Sequence, residues 1–282
     1  MPHAENESAG LYFEDLGAGD PILLIPGLGG SSRQVAAIAA ELSTTHRVIA
    51  VDPRGAGQSD KPDMPYDGAL LARDMIAVLD RAGIAAAHVA GISMGGMIAQ
   101  ELAVRHGARV RSLLLASTYA AADAWSERMW AVREGMIRHL GLAEHFQLAL
   151  MFLFSPGTFR REAETVKTIE AAFAASPPDP VGYLRQLQFC RSHNSVGRLG
   201  RIGARTLVVT GAEDILCTPL QGRELAAAIP GARYREMPDV AHLFMLSNPA
   251  GFAVLLREFL AGEAGPATGK IFATSQLAEG GG

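Results

Sequence analysis

Lysine is scarce in this chain: Lys61, Lys167 and Lys270 are the only ones in 282 residues. Arginine supplies the rest of the positive charge, the formal net charge is −4, and no basic stripe forms, which argues against a nucleic-acid partner. Cysteine is scarcer still. Cys190 and Cys217 stand alone, too few for a disulfide framework and without C-x-x-C or zinc spacing. Long apolar runs are missing as well. None approaches the roughly 20 residues of a bilayer-spanning helix, so no membrane partner is expected. Residues 1–10 are polar and lack the apolar segment of a secretory signal, which makes the cytoplasm the expected location. No internal repeat is visible. What remains is 49% hydrophobic, and long enough for one large α/β unit or a core with an insertion.

What is present is organised around residues 87–102. A short apolar run there meets a sharp turn, Gly91-Ile92-Ser93-Met94-Gly95-Gly96, and then a helical stretch that runs to His106. Gly91, Ser93 and Gly95 spell G-x-S-x-G. In a strand–turn–helix context this is a nucleophile elbow, in which strain at the serine pushes its hydroxyl above the sheet. Strand and helix nearly touch around such a turn, so glycine flanks the serine. Gly107 stands where a helix-ending glycine is expected.

Around this turn, strands and helices alternate. Leu11-Tyr12-Phe13-Glu14-Asp15-Leu16 reads as an early edge strand. Ile22-Leu23-Leu24-Ile25, Arg47-Val48-Ile49-Ala50-Val51-Asp52 and the run 110–116 read as strands buried on both faces. Helices are expected to about Glu41 and over residues 67–82, the second ended by Gly83. This rhythm is that of a doubly wound, mostly parallel sheet. The loop Pro26-Gly27-Leu28-Gly29-Gly30-Ser31-Ser32 is glycine-rich, but no phosphate cradle is expected. It lacks the P-loop lysine, and G-x-G-x-x-G fails at Ser32. Asp52 and Arg54, in a turn-rich segment, are read as residues that hold a loop.

The rhythm breaks after Ala116. From 117 to 203 only helical stretches appear, rich in Trp, Phe and Met and punctuated by Pro156 and Pro177-Pro178-Asp179-Pro180. It resumes with strands near 206–210 and 233–237 and helices near 219–229 and 249–260. The expected organisation is a core of 1–116 and 204–260, a helical cap of 117–203 after the sixth core strand, and a loose tail of 261–282.

A nucleophilic serine needs a base, and the base an orienting acid. Of eight histidines, only His242 follows the final sheet strand. His139, His145 and His193 fall in the helical insertion and are read as surface or packing residues. Asp214 directly follows a buried strand, so it should emerge at the same sheet edge as Ser93. Asp123 is the rival acid. Asp239 is read as a residue that caps or orients the His242 loop.

Together these pieces resemble the α/β-hydrolase superfamily. The match is to its enol-lactonase-like and carboxylesterase-like branch, which carries a helical cap. The matching segments are Ile25 to Gly30, Asp52 to Ser59, Gly91 to Gly96, Gly211 to Asp214, and Ala241-His242. One departure is Pro26, where many relatives have histidine. The resemblance implies a Ser93, His242 and Asp214 triad, with the backbone N–H groups of Leu28 and Met94 as the oxyanion hole. It implies acyl transfer without metal or organic cofactor. Serine at 93 argues against relatives that use aspartate there. The expected reaction is hydrolysis of a small, mainly apolar ester or lactone. C–C bond hydrolysis, acyl transfer to another acceptor and a non-catalytic ligand receptor remain alternatives. Cap arginines Arg128, Arg133, Arg138, Arg160 and Arg161 are read as solvated helix faces. One turned inward would instead favour a carboxylate-bearing substrate.

Overall fold

The computed structural model describes residues 3–7 and 9–262. The tail expected over 261–282 therefore lies almost wholly outside the described residues. Elements run β1 (His3–Asn6), β2 (Ala9–Leu16), β3 (Pro21–Ile25), α1 (Ala36–Ser43), β4 (Arg47–Val51), α2 (Gly68–Arg81), β5 (Ala87–Ile92), α3 (Met94–Arg105) and β6 (Val110–Ala116). Five helices follow: α4 (Ala124–Leu140), α5 (Leu142–Leu153), α6 (Pro156–Arg161), α7 (Ala163–Ala175) and α8 (Pro180–Ser192). The chain then resumes with β7 (Arg205–Gly211), α9 (Pro219–Ala228), β8 (Arg233–Met237), α10 (Phe244–Ser247) and α11 (Pro249–Leu260).

The strands form one eight-stranded sheet in the order β1-β2-β4-β3-β5-β6-β7-β8. The two pairings that involve β2 are antiparallel and the rest are parallel. Because side chains alternate along a strand, each central strand feeds two cores. Ile22 and Leu24 of β3 face α1 and α11, with Leu42, Phe252 and Phe259. Leu23 and Ile25 face the opposite side, where α2, α3 and α9 place Leu71, Met97 and Leu225. Among the described residues, no helix is long and apolar enough to cross a membrane.

Three local expectations are corrected. The run 11–16 is no edge strand, because β1 pairs outside it. β1 is the polar stretch His-Ala-Glu-Asn, which carries no apolar alternation to reveal a strand. Gly107 does not cap α3; the cap is His106, and Gly107 opens a short 3-10 turn. Asp239 neither caps nor visibly orients the loop: it is exposed, at φ +57°, and its backbone carbonyl accepts from Arg161.

Asp52 and Arg54 do hold loops. Asp52 accepts from the N–H groups of Ser32 and Gln58, tying the loops after β3 and β4 together. Arg54 is fully buried and forks onto Asp74 of α2 at 2.6 and 2.9 Å, while Asn6 of β1 donates to Asp74 and accepts from Arg54.

Candidate active site

Ser93 sits between β5 and α3 at φ +54°, ψ −117°, a backbone conformation that costs a non-glycine residue about 1–3 kcal/mol. Neighbouring backbones enforce it. A Cβ on Gly91 would lie 2.4 Å from the Gly95 carbonyl oxygen, and one on Gly95 would lie 2.1 Å from that of Ile25. Only glycine permits these approaches. The Ser93 N–H donates to the Ala116 carbonyl, which extends the sheet ladder into the turn.

The loops after β7 and β8 are laced together on the same edge. Ala212 and Glu213 donate backbone N–H groups to the carbonyls of Met237 and Val240. Ser117 donates to the His242 carbonyl. This brings His242 Nε2 to 3.1 Å from Ser93 Oγ and His242 Nδ1 to 2.9 Å from Asp214 Oδ2. The other oxygen of Asp214 accepts from the N–H groups of Leu216 and Cys217. Both Asp214 and His242 are buried. The serine hydroxyl thus donates to an imidazole whose second nitrogen donates to a fixed carboxylate. Asp123 is elsewhere: it caps α4 by accepting from the Ser126 N–H.

The loop after β3 lies directly against the serine, since a Cβ on Gly27 would come within 3.2 Å of Ser93 Cβ. Leu28 follows it. Gly29 is pinned by a residue from the helical insertion: its N–H donates to Gln186 Oε1 of α8 at 2.8 Å, and Gln186 Nε2 donates to the Arg54 carbonyl at 2.8 Å. Sequence reasoning missed Gln186. Nothing distinguishes one glutamine among the polar residues of a weakly patterned helix. The same helix is held to the loop after β4 by paired glycines: Gly182 of α8 touches Gly55 so closely that a Cβ would meet the Gly55 carbonyl oxygen at 2.1 Å.

The helical insertion buries Met129, Trp130, Leu150, Phe154 and Phe189, while Trp125, Leu140, Met151 and Phe159 are exposed. Its histidines divide. His145 and His193 are buried, and burial pushes His145 down to about 3 and His193 down to about 4. The expectation for the arginines fails at one position. Arg133 is only 5% exposed. Its Nη2 donates to Tyr183 Oη at 2.7 Å and its guanidinium lies 5.0 Å from the Trp130 ring centre, but its Nε has no acceptor. Among the described residues, no carboxylate pairs with it. A desolvated cation–π contact is worth about 2 kcal/mol, whereas an unpaired buried ion costs several. The signal was present in the sequence: Trp130, Arg133 and Ile137 share a helix face at spacings of three and four, so Arg133 lies in the buried stripe.

The chain from residue 20 to 249 matches the family model for the alpha/beta hydrolase fold. It belongs to the α/β-hydrolase family. A relative named as carbamate hydrolase RutD, from Azorhizobium caulinodans, is 34% identical over 92% of this chain and 98% of its own. The enol-lactonase of Burkholderia xenovorans LB400 superposes with a TM-score of 0.84 at 30% identity, over 92% of this chain and all of its own. A thermophilic esterase from Thermogutta terrifontis gives 0.81 at 26% identity, over 93% of this chain and 97% of its own. The relatives support hydrolase activity for this member of the family.

Proposed function

We propose that this protein is a serine hydrolase of small carboxylic esters or lactones. One observation carries the reading: Ser93 Oγ, both His242 nitrogens and Asp214 Oδ2 form one hydrogen-bonded line at a strained elbow. Ser93 attacks the substrate carbonyl while His242 Nε2 takes its proton. Asp214 keeps the imidazole in the tautomer with its hydrogen on Nδ1 and stabilises the imidazolium that forms. The oxyanion of the tetrahedral intermediate lies against the N–H groups of Leu28 and Met94. One such donor is typically worth about 3 kcal/mol in the transition state. His242 returns its proton to the leaving alcohol, and a water that His242 then deprotonates releases the acid. No step calls for a metal or organic cofactor. Residues 1–116 and 204–260 serve as the core, and 117–203 as a cap whose apolar side chains line the substrate space.

The carbamate hydrolase name of one relative favours a second acyl class for the same machinery, a carbamate. The test is a panel of p-nitrophenyl esters, lactones, a carbamate and a diketone, run beside labelling with an organophosphonate. Ser93→Ala should abolish labelling and lower turnover on the order of 10⁴-fold or more with the fold intact. Activity within tenfold of wild type would remove Ser93 as nucleophile.

A further inference from the structure

We propose that Arg133 binds a carboxylate of the substrate, so that the protein acts on an ester or lactone bearing a free acid group. The reaction named here rests on the serine-hydrolase reading; the binding site does not.

Three helices converge on the site: α4 brings Arg133, α5 brings His145 and α8 brings Tyr183. The hydrogen bonds fix where the protons lie. Tyr183 Oη accepts from Arg133 Nη2, so its own hydrogen points to His145 Nε2, 3.1 Å away. A neutral His145 then carries its one ring hydrogen on Nδ1. Arg133 Nε and His145 Nδ1 are both buried and both without a partner. Two N–H donors therefore lack an acceptor, beside a positive charge that lacks a negative one. A carboxylate supplies acceptors only, carries the missing charge, and matches the planar guanidinium.

Among the described residues, the acids on and beside α4 and the carboxylate of Asp214 are committed elsewhere. Glu134, next in the chain, pairs with Arg138 and Arg191, and Glu127 with Arg191. Asp123 caps α4. Asp214 is held by His242 and two backbone N–H groups.

The site is placed to serve Ser93. Tyr183 lies against Gly29, where a Cβ would come within 2.8 Å of its ring. Gly29 is two residues past Gly27, which touches Ser93. On the other flank, Cys217, three residues past Asp214, is buried in the same cluster as Trp130 and Tyr183. In the sheet order β3-β5-β6-β7, the loop after β3 adjoins the Ser93 turn, and the loop after β7 lies one strand beyond β6 on the other side. Arg133 thus hydrogen-bonds the residue that packs on the loop beside Ser93. The carboxylate of an acyl or alcohol group would meet the guanidinium, with the Trp130 ring beside it.

The experiment uses full-length Ser93→Ala protein, so that ligands bind without turnover. Calorimetry compares the monomethyl esters of succinate, glutarate and adipate with the matching dimethyl esters. The inference expects at least one monoester to bind tenfold or more tighter than its diester. Arg133→Met should erase that preference, and Arg133→Lys should restore only part of it, since lysine offers charge without the fork. Equal binding of monoester and diester at all three lengths, or a preference that survives Arg133→Met, overturns it. If Arg133→Met does not fold, the monoester-to-diester ratio on the Ser93→Ala protein still decides. Hydrolysis of the p-nitrophenyl monoesters of the same three diacids by wild type against Ser93→Ala tests the reaction separately. Its failure alongside a tenfold monoester preference would remove the serine-hydrolase reading and leave the carboxylate site standing.

Discussion

Asp214→Asn probes the proposed mechanism at its least forgiving atom. In the native protein, Oδ1 of Asp214 accepts two backbone N–H groups, each at 2.9 Å, and Oδ2 faces His242 Nδ1, also at 2.9 Å. An asparagine must use its one oxygen to satisfy the two backbone donors, because an NH₂ placed there would set donor against donor in a buried site. That choice turns the NH₂ toward His242 Nδ1. The imidazole then has to accept on Nδ1 and carry its hydrogen on Nε2. A hydrogen on Nε2 faces Ser93 Oγ, so the ring can no longer take the serine proton. The loss expected from this tautomer error is about 10⁴-fold in kcat, or about 5.5 kcal/mol of activation free energy. Shape and packing are preserved, so thermal stability should move little. Asp123→Asn is the matched control, because asparagine caps a helix about as well as aspartate. Steady-state kinetics on a chromogenic ester reads both variants. Asp214→Asn within tenfold of wild type, or a large loss in Asp123→Asn, would refute the tautomer argument.

Gly95→Ala should give little soluble protein or a loss of more than about 3 kcal/mol in urea unfolding, because its Cβ would lie 2.1 and 2.6 Å from the backbone oxygens of Ile25 and Pro26. Arg54→Met leaves Asp74 as a buried unpaired charge and should cost about 3–5 kcal/mol, with Arg54→Met/Asp74→Leu recovering much of it. In acid the buried histidines matter. Folding holds His145 and His193 neutral, so the unfolded chain binds more protons below pH 6.5 and stability falls as pH drops toward 4. Each contributes a slope of about 1.4 kcal/mol per pH unit in that window. Urea unfolding between pH 6.5 and 4.5 should therefore show a shallower slope for His193→Gln; an unchanged slope would refute a neutral buried His193.

The sheet was legible because its central strands are continuous apolar runs, and the elbow because its glycines are required by backbone contacts that any member of this architecture must make. Ser93, Asp214 and His242 could be nominated from chain order and strand ends alone. What the sequence hid depends on partners far away in the chain. β1 is a strand only because β2 offers it a ladder, and its Asn6 matters only because Asp74 lies opposite. Gln186 gains its role from contacts 157 and 132 residues distant. Arg133 is the instructive miss. Arginine runs in amphipathic helices are usually solvated, and four of the five named positions fit that habit. The periodicity of α4 nonetheless put Arg133 on the buried face with Trp130 and Ile137, and position on the stripe outweighs residue type.

These ties bear on how reaction and recognition are divided in the molecule. The loop after β3 is held by a hydrogen-bonded chain from Gly29 through Gln186 to the Arg54 carbonyl, and from the Arg54 side chain to Asp74 and Asn6. None of its links runs through α4 or α5. Side chains on those two helices can therefore change without cutting a link of this chain. α8 has no such freedom. It carries Gln186, which fixes the loop, and Tyr183, which hydrogen-bonds both Arg133 and His145. Gly182 locks the same helix against Gly55 by backbone contact. A displacement of α8 would thus move the Gly29 loop and the hydrogen-bond partner of Arg133 together.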